Sequence, residues 1–175
     1  MDSQTLKIPR QRIGALIGIR GETKKIIEKK GKTKISIDSE TGEIEVETGK
    51  DAVGFLKTLE AVKAIGRGFS PEKAFKLFEE DYMLDIIELS DLGHSGRGLE
   101  NVRGRVIGTR GRARQKIEEE THSAISVFGK TVAIIARIDD LPSARKGVEM
   151  LLKGASHSRV YNTLKKLETK KFELI

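Results

Sequence analysis

The chain has no cysteine and no tryptophan, only three prolines and three histidines, and aromatic side chains make up just 5% of its 175 residues. Without cysteine there are no disulfides, no thiol nucleophile and no thiolate metal site. His94, His122 and His157 lie too far apart to form a ligand pair on one helix. No apolar run approaches the ~18 residues of a membrane span, and no apolar segment follows Met1 as it would in a secretory leader. The expectation is a soluble, cytoplasmic protein with no membrane partner, no metal and no cofactor.

What the chain does have is a long internal repeat. Leu16-Ile17-Gly18-Ile19-Arg20-Gly21 is answered by Val106-Ile107-Gly108-Thr109-Arg110-Gly111. Downstream, Ile27 aligns with Ile117, Glu28 with Glu118, Thr33 with Ser123, Ile35 with Ile125 and Ile37 with Val127. After a shift of register, Ile44 aligns with Val132, Val46 with Ile134, Gly66 with Gly154 and Ser70 with Ser158. A repeat this long is a whole domain with its own core. Two domains are expected, residues 1–79 and 80–175.

Charge follows the repeat. The net charge is +7. Lys7 to Lys34 holds ten Lys/Arg against Glu22 and Glu28, a net of +8, and Arg97 to Lys116 holds seven against Glu100, a net of +6. The rest of the chain therefore carries −7 (7 − 8 − 6). Two basic segments at equivalent positions of a repeat, in an otherwise acidic chain, predict a nucleic-acid face.

Each half reads as strand, helix, helix, strand, strand, helix, plus one further helix. In the first, Leu6 to Ile8 forms a strand closed by Pro9, Gln11 to Ile17 and Glu22 to Lys30 form helices, and Lys34 to Asp38 and Glu43 to Glu47 alternate as half-buried strands. Asp51 to Ile65 reads as an amphipathic helix with Val53, Leu56, Leu59 and Ala61 among its apolar positions. Ser70-Pro71-Glu72 starts the extra helix, which runs through Phe75 and Phe78. In the second half the strands are Met83 to Leu89, Ser123 to Val127 and Thr131 to Arg137. The helices are Leu99 to Ile107, Arg112 to Thr121, Pro142 to Leu152 and Ser158 to Leu167, before an apolar tail, Phe172 to Ile175. The fold class is α+β, each half a three-stranded antiparallel sheet packed on helices.

A glycine-bounded loop between two helices acts through its backbone. Glycine admits unusual dihedral angles and lets a phosphodiester come close. The loop also leads into a helix N-terminus, where free N–H groups and the helix dipole attract anions. Arg20 and Arg110 add charge there, and Lys24 and Lys25, with Arg112 and Arg114, carry it along the next helix. Arg103 and Arg105 precede the second loop. Because arginine grips phosphate with a fork, the second half is expected to supply more of the affinity. The scarcity of aromatics argues against base-stacking platforms.

Gly18-Ile19-Arg20-Gly21 and Gly108-Thr109-Arg110-Gly111, each in a strand-helix-loop-helix-strand-strand-helix frame, resemble the tandem K-homology (KH) domains of type I topology. The resemblance implies that each loop clamps about four unpaired nucleotides. It also implies a groove floor of Ile13, Ile17, Ile35 and Ile37 in one half and Val106, Ile107, Ile125 and Val127 in the other, although many of these must be core. Over its whole length the chain looks like the archaeal branch of the partner-of-Nob-one family. That resemblance implies a non-catalytic protein of small ribosomal subunit biogenesis, bound at or near the 3′ end of the small-subunit rRNA. An rRNA-processing endonuclease and a translation initiation factor are its implied protein partners. A protein-interaction adaptor, or a general KH protein of translation initiation, transcription or RNA decay, is the alternative.

Enzymatic motifs fail on spacing. Gly96-Arg97-Gly98 lacks the later glycine of a dinucleotide fingerprint, and Gly49-Lys50 lacks the rest of a Walker loop. Glu118, Glu119 and Glu120 run consecutively along a helix and diverge, and His94 has no nucleophile spaced to pair with it.

Overall fold

The computed structural model describes residues 2–174 and divides them into two compact units, one ending at Tyr82 and the next beginning at Met83. Residues 79–82 are held by the first unit: Lys57 Nζ donates to Glu79 O (3.2 Å) and Tyr82 O (2.8 Å), and Lys76 Nζ lies over the Tyr82 ring.

The first unit runs β1 (Ser3–Lys7), α1 (Ile13–Ile17), α2 (Glu22–Gly31), β2 (Lys34–Ile37), β3 (Glu43–Glu47), α3 (Ala52–Gly66) and α4 (Pro71–Phe75). The second runs β4 (Tyr82–Glu88), α5 (Gly96–Ile107), α6 (Arg112–Thr121), β5 (Ala124–Phe128), β6 (Thr131–Arg137), α7 (Leu141–Leu152) and α8 (His157–Glu173). Short 3-10 turns precede α1 and α2, follow α4, and link α5 to α6. The element order is the one expected. Each sheet places its last strand in the centre, β1-β3-β2 and β4-β6-β5. β3 pairs antiparallel with both neighbours, Gln4 and Ile35 both facing Val46, and Ile125 faces Ile134 across β5 and β6.

Alternation along β3 puts Ile44 and Val46 inward and Glu43 and Glu45 outward. Ile44 and Val46 meet Leu16, Ile27 and Ile35 in burial at 1% exposure or less. Ile134, Val106, Ile117 and Ile125 do the same in the second core. Each such side chain contributes roughly 1.5–3 kcal/mol of transfer free energy.

Caps define the helix ends. Asp51 Oδ1 accepts from Gly54 N (3.0 Å), which caps α3 and holds the Asp51 carboxyl below the usual carboxylate range. Ser70 Oγ accepts from Lys73 N at α4, with Pro71 at the first helical position.

Several expectations are corrected. Val53 and Leu56 are 66% and 61% exposed, while Leu59 and Ala61 are buried, so the apolar positions of α3 occupy two faces rather than one. β1 starts at Ser3, because Ser3 to Lys7 pairs with Glu47 to Glu43. The extra helix of the first unit ends at Phe75 as α-helix and tightens to 3-10 geometry through Phe78. α8 is longer than expected and starts earlier, capped by Ser156, whose Oγ accepts from Arg159 N at 3.3 Å. Ser156, not Ser158, is therefore the counterpart of Ser70. Likewise Gly154 matches Gly68 rather than Gly66. Gly68 N donates to Ile65 O and Gly154 N to Leu151 O, both at 3.1 Å, and both glycines have positive φ. The α7 segment is thus shorter by a further two residues than the sequence alignment allowed (Gly68 to Gly154 spans 86 positions, Gly66 to Gly154 spans 88). Phe172 belongs to α8 and is exposed, as is Leu174; the final residue of the apolar tail lies outside the described residues. Among the described residues no helix is long and apolar enough to cross a membrane.

Candidate nucleic-acid interface

The two loops share one backbone. Gly18 N donates to Gly14 O (2.9 Å) and Gly21 N to Gly18 O (3.2 Å); Gly108 N donates to Gly104 O (2.8 Å) and Gly111 N to Gly108 O (3.2 Å). Gly18 has φ 74°, ψ 176° and Gly108 φ 72°, ψ 175°. The pairs Arg20 (54°, 26°) and Arg110 (56°, 29°), then Gly21 (76°, 16°) and Gly111 (73°, 11°), follow in step.

The two glycines of each loop do different work. Gly18 and Gly108 combine positive φ with extended ψ, a region essentially reserved for glycine. A Cβ on Gly18 would also lie 2.7 Å from Thr23 N, and one on Gly108 would lie 2.8 Å from Ala113 N. The chain thus folds tightly over the start of the next helix. Gly21 and Gly111 are left-handed N-caps with open space around them, a Cβ on Gly111 meeting only Arg114 at 3.9 Å. Neither α2 nor α6 has a side-chain cap; Glu22 N–H donates to Ile19 O and Arg112 N–H to Thr109 O within the turn, and the positive end of each helix dipole faces the loop.

The loop tips stand clear of the body. Ile19 is 82% exposed, and Thr109, Arg20 and Arg110 are exposed too. Lys25 and Arg112 are exposed on the first turns of α2 and α6. Lys24 and Arg114 are half-buried and tied down: Lys24 pairs with Glu28 (3.4 Å), and Arg114 Nη1 donates to Ile125 O (3.3 Å) beside Glu118 (3.9 Å). Glu28 Oε1 in turn accepts from Ile35 N (2.8 Å), and Glu118 Oε1 from Ile125 N (2.7 Å). These acids lash the helix after each loop to the strand beside it, a role that the repeat of Glu28 in Glu118 hinted at and that sequence reasoning missed.

Burial sorts the expected groove floor. Ile13, Ile35, Val106 and Ile125 are buried and belong to the core. Ile17, Ile37, Ile107 and Val127 are half-buried at matched positions in the two units, so they are the apolar strip of the expected floor that keeps open surface; Ile17 and Ile107 directly precede the loops, and Val127 also packs against the second core. The basic residues ahead of the second loop also separate. Arg103 occupies the position of Ile13 on its helix, and its Nε is buried with no hydrogen-bond partner among the described residues. Arg105 turns the other way, toward Gly154 at the end of α7, where a Cβ on Gly154 would lie 2.7 Å from Arg105 Nη1. It does not join the loop cluster.

The geometry agrees with what comparison finds. Residues 83–169 match the eukaryotic type KH domain (type I), and residues 3–54 match the KH domain. A KH domain-containing protein of Methanocaldococcus jannaschii is 40% identical, over 98% of this chain and 78% of its own. The chain belongs to the KH-domain family. Within it, crystalline Dim2p of Pyrococcus horikoshii is 46% identical to these two KH units, over 95% of this chain and 99% of its own, with a TM-score of 0.88. A chain of the a/eIF2alpha–aDim2p–rRNA complex from the same organism matches with TM-score 0.90 and 46% identity, over 97% of this KH protein and 95% of its own length. The eukaryotic KH relatives are longer: the chain spans 55% of the pre-rRNA-processing protein pno1 of Emericella nidulans, at 28% identity over 78% of this chain.

Proposed function

We propose that this chain is a non-catalytic, cytoplasmic RNA-binding protein of small ribosomal subunit biogenesis. Its Gly-x-x-Gly loops hold unpaired rRNA at or near the 3′ end. The observation that carries this reading is the duplicated loop: two copies of one backbone, one in each unit, each with an exposed arginine at the start of a helix that no side chain caps and with half-buried apolar residues on the flanking helix and strand. Phosphate contacts at the loops position the strand, and the half-buried strip (Ile17 and Ile37, Ile107 and Val127) presents apolar surface to its bases.

Support comes also from the similar proteins named for pre-rRNA processing and from the similar chain crystallised with rRNA. The same complex contains a/eIF2alpha, which makes a translation initiation factor the first protein partner to test. An rRNA-processing endonuclease is the second, because a protein that only holds RNA leaves cleavage to another. Exposed Val53 and Leu56 on α3 favour a protein-contacting role in addition.

The test is binding of an unpaired oligonucleotide matching the 3′ end of small-subunit rRNA, against a scrambled sequence and a duplex. Selective, salt-sensitive binding of the first is expected. Equal binding of all three would leave only a basic surface and would overturn the reading.

The second domain supplies more of the affinity on this reading, and one position tests it. Glu22 and Arg112 are equivalent first residues of α2 and α6, and both are exposed beside the loop. A carboxylate at the clamp repels phosphate where an arginine attracts it. Glu22→Arg should tighten RNA binding and Arg112→Glu should weaken it about 10-fold, the scale of one charge-assisted hydrogen bond to phosphate. A titration in which neither changes affinity refutes the assignment.

A further inference from the structure

The second unit carries a basic concavity away from its loop. A cavity of about 490 Å³ opens between α7 and α8, lined by Lys146, Lys153 and Arg159 with Met150 and Thr163, and its lining includes no acidic side chain. Arg105 of α5 reaches its edge, since its guanidinium lies against Gly154 in the same lining.

The pairing of cations in this unit is uneven. Arg145 is neutralised by Asp85 (2.6 Å) and Glu149 (2.9 Å), Lys171 by Asp140 (2.8 Å) and Lys116 by Glu120 (2.8 Å). Arg105, Lys146, Lys153 and Arg159 have no acidic partner among the described residues. Converging unpaired cations repel one another, and a polyanion relieves that repulsion. The site adjoins the start of α8, a helix of 17 residues whose dipole adds positive potential. Arg105 lies on the helix that delivers Gly108, one turn before that glycine, so one helix carries a cation at the edge of the concavity and ends in the clamp.

We propose that this concavity binds the phosphodiester backbone of the RNA strand where it continues out of the second loop. The second KH unit then grips a longer strand than the clamp alone, with Lys153 and Arg159 as the principal phosphate ligands. The inference rests on the RNA-binding reading above, and it favours RNA over an acidic protein because α5 carries Arg105 at the edge of the concavity and ends in the clamp of the same unit.

The experiment uses the full chain and two unpaired RNAs of nested sequence: about five nucleotides, enough to fill one clamp, and about fifteen, enough to run beyond it. Lys153→Glu with Arg159→Glu is compared with Lys165→Glu with Lys166→Glu, an equal change of charge on exposed residues of α8. The first variant should bind the long RNA ~10-fold or more weakly and keep its affinity for the short one. Its salt slope on the long RNA should fall by about 1.4, the value for two fewer phosphates neutralised on a single strand. The control should change both affinities by less than about 2-fold. Equal losses from the two variants on the long RNA, or an unchanged salt slope, would overturn the proposal and leave the concavity to an acidic protein. Failure of the clamp itself reads differently: a loop variant that still binds the short RNA refutes the RNA-clamp reading, whatever the concavity does.

Discussion

Replacing Thr109 and Arg110 together by aspartate should weaken binding of unpaired RNA by ~100-fold or more, without unfolding the protein. Two effects add. The substitution removes the exposed cation at the loop tip, and it places two carboxylates where backbone N–H groups of α6 present positive potential to a phosphate. A charge-assisted hydrogen bond to phosphate contributes roughly 1.5–3 kcal/mol, and new like-charge repulsion acts in the same direction. Both side chains are exposed, so stability should stay within about 0.5 kcal/mol of wild type. The equivalent pair, Ile19→Asp with Arg20→Asp, should have the smaller effect, because Glu22 already opposes the anion there. Fluorescence anisotropy with matched thermal unfolding checks both. Undiminished binding by the folded Thr109, Arg110 variant would sink the clamp, and equal losses from the two loops would sink the claimed dominance of the second domain.

The largest stability effect is expected at the first glycine of each loop. Gly18→Ala and Gly108→Ala should each destabilise their domain by about 2–4 kcal/mol, the sum of a glycine-only conformation and a backbone collision. The added Cβ would stand 2.7 Å from Thr23 N in one case and 2.8 Å from Ala113 N in the other, atoms that cannot move without unwinding the start of the helix. Gly21→Ala and Gly111→Ala meet no such obstacle. They adopt ordinary left-handed angles and should cost only about 1–2 kcal/mol. Asparagine, which tolerates that region, should cost less again at either position. Urea unfolding of the four alanine variants orders them. Equal destabilisation at the first and second glycines would show that the first is not sterically required.

Much of this was legible in residue spacing. Glycine pairs flanking two residues, one copy per half, imposed the loop, because no other residue adopts the dihedral angles of Gly18 and Gly108 without strain. Ser70 before Pro71 marked a helix start correctly, since capping is a local interaction between near neighbours. Alternation in Ile44 and Val46 placed β3 with its proper face inward.

Depth and direction were not legible. Periodicity assigns Leu16 and Ile17 to one helix face, yet Leu16 is buried and Ile17 half-buried, because depth is decided by what the sheet and α2 cover. The same cover sends Ile35 into the core and leaves Ile37 at the strip. Arg105 reads in sequence as a neighbour of the loop, but its place on α5 turns it toward Gly154. Ser158 aligns with Ser70, while the cap is Ser156, because the end of α7 and not residue identity sets where α8 begins.

The sequence by itself determined the duplication, the order of elements, the loop conformation and the basic sign of the two loop segments, all of which depend on residues within a few positions of one another. The tertiary structure alone decided which apolar side chains remain at the surface beside the loops, which cations are paired and which are not, and how Glu28 and Glu118 bind each helix to its strand. Those outcomes depend on which distant segments pack together, and the spacing of residues along a chain carries no record of that.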